Sequence, residues 1–166
     1  MKLLEPDMVP LPFNYYRSHP LTSKGWKEIR KTQLARTGGL CEFCGNPGKI
    51  IHHEYSYVVS KGDYLSLSEV EYTISRFVTE FVVSCYRCNE VLHFVWASNT
   101  ARSERAIEWL MQVRKMTQEE ARKLVLEKVN LWVSRSQMRP IYGEADRYKL
   151  RSDNVYVDTF TGQEVR

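Results

Sequence analysis

Three tracts of the chain place apolar residues every three or four positions, and two short runs are apolar enough to be strands. In SKGWKEIRKTQLAR (23–36), Trp26, Ile29 and Leu34 share one helical face, while Lys24, Lys27, Lys31 and Arg36 point mostly outward. Ser23 is a candidate cap, and the run TGGL ends the helix. KIIHHEY (49–55) and EFVVS (80–84) read as strands. The long insertion between them carries the capping pattern Ser68-x-x-Glu71, which predicts a small extra helix. YRCNEVLHFVWAS (86–98) reads as one helix, and SERAIEWLMQVRK and TQEEARKLVLEKVNLWVSRS as two amphipathic ones. The last has a capping box at Thr117 and Glu120, with a stripe of Ala121, Leu124, Val125, Lys128 and Trp132. Residues 1–22 hold Pro6, Pro10, Pro12 and Pro20 without any period and predict an extended arm. The tail NVYVDTFTGQEV alternates like a hairpin around Thr161 and Gly162.

A chain of 166 residues suits one domain, and 43% hydrophobic with 27% charged residues is ordinary globular composition. The net charge of +4 alone says little about partners, but its distribution says more. Basic residues outnumber acidic ones 8 to 4 over 1–50, fall to 3 against 6 over 51–100, and recover to 13 against 10 over 101–166. An acidic middle between basic flanks suits a cation site with phosphate-gripping arms. No apolar run suggests a signal peptide or a membrane span, so no membrane partner is expected.

All four cysteines fall in two Cys-x-x-Cys pairs, Cys41 with Cys44 and Cys85 with Cys88. Paired knuckles in a chain without a secretory signal predict a structural Zn²⁺ site in a reducing cytoplasm, not disulfides. Four thiolates close the tetrahedral shell and leave no open position for chemistry. That leaves His52, His53, Asn89 and His93 unexplained. Asn89 and His93 are spaced four apart and project from one face of a helix. Adjacent His52 and His53 on a strand point to opposite sides, so one can ligate a metal while the other faces a substrate.

CEFCG, IIHHE and CYRCNEVLH together resemble the HNH endonucleases, and WKEIRKTQLARTGGLCEFCG looks like the basic helix that precedes their first knuckle. The resemblance spans residues 24–95. It implies a zinc-stabilised α+β protein with a ββα-metal (HNH, His-Me finger) core. It implies His53 as general base in metal-dependent hydrolysis of DNA phosphodiesters, RNA remaining open. His52, Asn89 and His93 would surround a catalytic divalent cation, with neutral N and O donors compatible with Mg²⁺, Mn²⁺, Zn²⁺ or Ni²⁺. A neutral imidazole can take a proton at physiological pH, and a sparsely ligated cation keeps positions for phosphate oxygens. The chain departs from the family in its long hairpin loop and in Glu80, which stands where asparagine is usual. An ionised carboxylate accepts hydrogen bonds but cannot donate them.

The organisation expected is an arm over 1–22, a nuclease core over 23–98, and a helical extension with a C-terminal hairpin over 99–166. Arg30, Lys31, Lys49 and Arg87 are candidate phosphate contacts. By analogy the setting is a bacterial or phage-infected cytoplasm. Two rival readings are a non-catalytic zinc module that binds nucleic acid or protein, and a nuclease subunit of a phage packaging or defence assembly. In the second, the C-terminal helices would dock a protein partner.

Overall fold

The computed structural model describes residues 1–10, 23–66, 69–141, 148–150, 156–158 and 164–165. It is a mixed α+β structure. Helix α1 (Ser23–Thr37) is followed by the first cysteine pair, then by the antiparallel hairpin β1 (Ile50–Ser66) and β2 (Glu69–Ser84). The second pair leads straight into α2 (Tyr86–Leu92), α3 (Phe94–Asn99), α4 (Ser103–Arg114) and α5 (Gln118–Ser136). Strand β3 (Arg139–Ile141) returns to pair parallel with β2. A separate three-stranded sheet joins β4 (Tyr148–Leu150), β5 (Tyr156–Asp158) and β6 (Glu164–Val165).

The root of the hairpin is buried on both faces, as strict alternation along β2 requires. Phe81 and Val83 face α1 and pack with Ile29, Ile51, Trp26 and Leu34. Val82 faces the other way into the main core, beside Val91, Leu92, Ala97, Ile107 and Leu110. Burying each such aliphatic side chain contributes about 1.5–3 kcal/mol, so the hairpin root is held far more firmly than its tip. Toward the tip Val58, Val59 and Tyr72 are exposed.

The extra helix expected at Ser68-x-x-Glu71 is not formed: Glu71 lies in β2, and Ser68 lies outside the described residues. The β-branched and aromatic residues on either side pair across the hairpin as far as Ser66 and Glu69, and that ladder outweighs a local capping signal. The register places Glu54 opposite Glu80, a repulsive pairing, next to a β-bulge. Lys2 resolves the repulsion by bonding both carboxylates, Glu54 at 3.1 Å and Glu80 more closely. Burial alone would lower the Lys2 ammonium, but its bonds to Glu80 and Glu54 outweigh burial and hold it above its usual range.

The single helix expected over 86–98 is two. The chain breaks at His93, whose φ of −97° and ψ of 49° close α2 and open α3. The capping box of α5 is present as expected, with Thr117 and Glu120 each holding the other's backbone. Along its stripe Ala121 and Val125 are buried, and Leu124 and Trp132 pack on the core. Glu90 of α2 is buried and accepts from Arg105 and Arg102, which ties α2 to the start of α4. The tail pairing of β5 with β6 fits the expected hairpin, whose turn at Thr161–Gly162 lies outside the described residues.

Residues 1–10 of the arm lie against the body, and 11–22 lie outside the described residues. Leu4 and Met8 enter the main core. The arm is bonded along its length: Lys2 N–H to the Glu42 carbonyl (2.7 Å), Asp7 N–H to the Leu92 carbonyl (2.9 Å), and the Val9 carbonyl from Trp132 Nε1 (2.9 Å). Among the described residues no helix is long and apolar enough to cross a membrane.

Gly48 is where the first knuckle meets β2. A Cβ there would sit 2.7 Å from Val83 Cγ1 and 3.0 Å from the Cys41 backbone nitrogen. Gly48→Ala is therefore expected to cost about 1–3 kcal/mol, the usual range for overpacking, read as a lower denaturation midpoint. An unchanged midpoint would show that the knuckle yields freely.

Candidate metal centre

The first cysteine pair sits in a tight turn. Cys41 N–H donates to the Asn46 carbonyl (2.7 Å) and Gly45 N–H to the Cys41 carbonyl (2.9 Å). Gly45 takes φ of 75°, a left-handed conformation that favours glycine. Glu42 pins this turn to the hairpin. Its backbone N–H donates to the Val83 carbonyl, and its carboxylate accepts from Val83 N–H and from Arg36, both at 2.7 Å. Cys85 caps α2, its sulfur accepting from Cys88 N–H at 3.4 Å. The sequence put these residues far apart; the hairpin brings its two ends, and hence both pairs, together.

The four sulfurs of Cys41, Cys44, Cys85 and Cys88 lie within 4.8 Å of one another. Cys44 and Cys85 are 3.7 Å apart, and all four are free thiols. A zinc ion about 2.3 Å from four sulfurs would set them about 3.8 Å apart, so the cluster fits a structural metal such as zinc. A hydrogen bond from Cys88 holds the Cys41 thiol down at about 5, and burial pushes Cys44 up to about 11. Trp109 Nε1 donates to Cys88 Sγ at 3.2 Å, a bond that favours a thiolate at that position. Trp109 also packs against the main core. Arg87 lies 5.0 Å over its ring.

The histidines form a second cluster, between β1 and the end of α2. His52, in β1, is fully buried, and its Nδ1 lies 3.3 Å from His93 Nε2. Its other nitrogen, Nε2, lies 3.1 Å from Asp7 Oδ2. Asp7 was not among the residues picked out from the sequence. Nothing local marks it, because it becomes a neighbour of His52 only when the arm seats.

An ionised Asp7 carboxylate can only accept, so Nε2–H of a neutral His52 donates to it and Nδ1 is left as a lone pair facing His93. Burial, reinforced by the nearby His52, lowers the His93 pKa to about 4 against the pull of Asp7. His93 is therefore neutral at physiological pH and can also offer a lone pair.

The 3.3 Å separation suits an N–H···N hydrogen bond. It equally suits two nitrogens about 2.1 Å from one cation, which stand about 3.0–3.4 Å apart between right-angle and tetrahedral geometry. Asn89 Oδ1 favours the cation. It is buried with no hydrogen-bond partner, a state that costs about 1–3 kcal/mol unless something binds there. Among the described residues only the cysteines bring three or more His, Cys, Asp or Glu ligand atoms within 4.8 Å, so the histidine cluster needs the Asn89 oxygen as a third donor.

His53 lies apart from these three. Its ring is half-buried on the α1 side, 4.8 Å from Tyr55, 5.5 Å from Trp26 and 6.0 Å from His52, centre to centre. Glu80 is held by Lys2. Arg30 and Lys31 are exposed on α1, Lys49 is exposed just before β1, and Arg87 is exposed on α2. Comparison of the chain with protein-family models, with curated proteins and with solved structures found no match.

Proposed function

We propose that this protein is a metal-dependent endonuclease of the HNH type, hydrolysing phosphodiester bonds in DNA. The observation that carries the proposal is the pair His52 Nδ1 and His93 Nε2 at 3.3 Å, with Asp7 on the far nitrogen of His52 and a buried, unpartnered Asn89 oxygen one helical turn before His93. The order β1–β2–α2 is compatible with a ββα-metal core. The cysteine cluster would hold the structural zinc that keeps both ends of the hairpin on α2.

In this reading His52, Asn89 and His93 bind a divalent cation. When bound, such a cation stabilises charge on the phosphate and its leaving oxygen. His53, on the opposite side of the strand, accepts the proton of the attacking water, a role open to a neutral imidazole. Asp7 fixes the tautomer and the ring orientation of His52.

The test is incubation of the purified protein with supercoiled plasmid and with single-stranded DNA and RNA across a series of divalent metals. Metal-dependent cleavage supports the proposal. Nucleic-acid binding without cleavage under any metal would favour a non-catalytic zinc module. Cleavage that appears only with an added protein partner would favour a subunit of a larger packaging or defence assembly.

Asp7 gives a sharper check. Asp7→Ala is expected to weaken Ni²⁺ or Mn²⁺ binding at the histidines by about 10–100-fold in calorimetric titration, with zinc content unchanged. Unaltered affinity would remove Asp7 from the centre.

A further inference from the structure

Between the arm, β1 and α5 lies a cavity of about 220 Å³ lined by Asp7, Tyr55, Tyr57, Lys128, Trp132 and Arg135, with Leu131 at its rim. We propose that this cavity is a subsite for one unpaired nucleotide of the strand being cut, an inference that rests on the nuclease reading above.

Position is the first argument. Asp7 lines the cavity and bonds His52 at 3.1 Å, while Tyr55 lines it and lies 4.8 Å from the His53 ring. A nucleotide seated there adjoins both histidines that the chemistry requires. The cavity is too small for a base pair, so its occupant is a single nucleotide lifted out of any stack.

Charge is the second. Glu5 is neutralised twice, by Lys128 at 2.7 Å and Arg114 at 3.3 Å. Burial would raise the Glu5 carboxyl, but these two cations outweigh burial and hold it below its usual range. The Asp7 carboxylate is turned to His52. Among the described residues Arg135 has no salt bridge, and its guanidinium lies 4.5 Å over the Tyr57 ring. That stacking aims a planar cation at the cavity without neutralising it, an arrangement suited to a phosphate.

The walls supply the rest. Trp132 is anchored by its Nε1 bond to the Val9 carbonyl, and with Tyr55 it offers a fixed aromatic surface for a base or sugar. Burial, with Asp7 nearby, keeps the Tyr57 phenol protonated, so it can donate to a phosphate or base oxygen.

The experiment uses the full chain carrying His53→Ala to prevent cleavage. Fluorescence anisotropy compares a labelled single-stranded oligonucleotide with the same sequence as a blunt duplex. Inorganic phosphate is added as a competitor. The single strand is expected to bind about tenfold more tightly or better, and phosphate at equal concentration should not displace it. Arg135→Ala, and separately Leu131→Glu at the exposed rim, should each weaken single-strand binding by about tenfold with zinc content unchanged.

Equal binding of duplex, displacement by phosphate alone, no oligonucleotide binding, or indifference to both substitutions would overturn the subsite. The parent protein's plasmid assay is read separately. Cleavage with an unaffected Arg135→Ala removes the subsite and keeps the nuclease. Selective single-strand binding without cleavage does the reverse.

Discussion

Replacing His53 with alanine is expected to lower cleavage by about 10²–10⁴-fold, the usual worth of a general base, while cation affinity at His52 and His93 stays the same. The separation follows from geometry. His53 packs among Trp26 and Tyr55 on the α1 side, whereas His52 turns toward Asp7 and His93. Alanine at His52, Asn89 or His93 should instead weaken the cation, and excess metal should restore part of the lost rate. Zinc content should be the same in all four variants, because the sulfur cluster shares no ligand with the histidines. Single-turnover cleavage and metal titration on each variant make the comparison. If His53→Ala cuts as fast as the parent, its role as base is wrong, whatever the metal titrations show.

Loss of the metal at the cysteines should have the largest effect on the fold. Such sites contribute roughly 10–16 kcal/mol in small zinc domains, as much as the whole stability of a typical domain. Here Cys41, Cys85 and Cys88 are core residues, packed with Leu4, Phe43, Val82, Val91 and Leu110. Stripping the metal would leave thiols that compete for protons at the centre of that core. We expect about one zinc per purified chain, and chelator or Cys88→Ser should abolish the cooperative thermal transition. A zinc-free protein that melts cooperatively, or a disulfide between any of these cysteines, would contradict it.

The features legible in the sequence were those written in short-range spacing. The two knuckles and the capping box at Thr117 each depend on residues within a few positions, and each is found where its spacing placed it. The break at His93 was not legible, because backbone contacts at Asn89 and Ala97 bridge it and the apolar pattern runs through it. The long hairpin was obscured by the opposite problem. Ser68 and Glu71 carry a helix signal, but Ile74, Tyr57 and their neighbours obtain partners only across the turn. The parallel pairing of Arg139–Ile141 with β2 is more remote still. Asp7 and Lys2 are the clearest cases. Each is an unremarkable charge in a proline-rich arm, and its meaning comes from residues 45 to 78 positions later.

The arm has a consequence for the order of synthesis. Glu5 and Val9 are made long before their partners Lys128 and Trp132, each 123 positions further on. A nascent chain that stops short of α5 lacks the Lys128 and Trp132 anchors, and this part of the arm then rests on Arg114 at Leu4 and Glu5 and on the contacts of Asp7 to Leu92 and His52. Closing so long a loop is slow and comes late in folding. The fully anchored arm beside the histidine centre thus waits for α5 to be made. An unfinished chain emerging from the ribosome would carry the cysteine pairs and the hairpin, but its arm would lack its last two anchors.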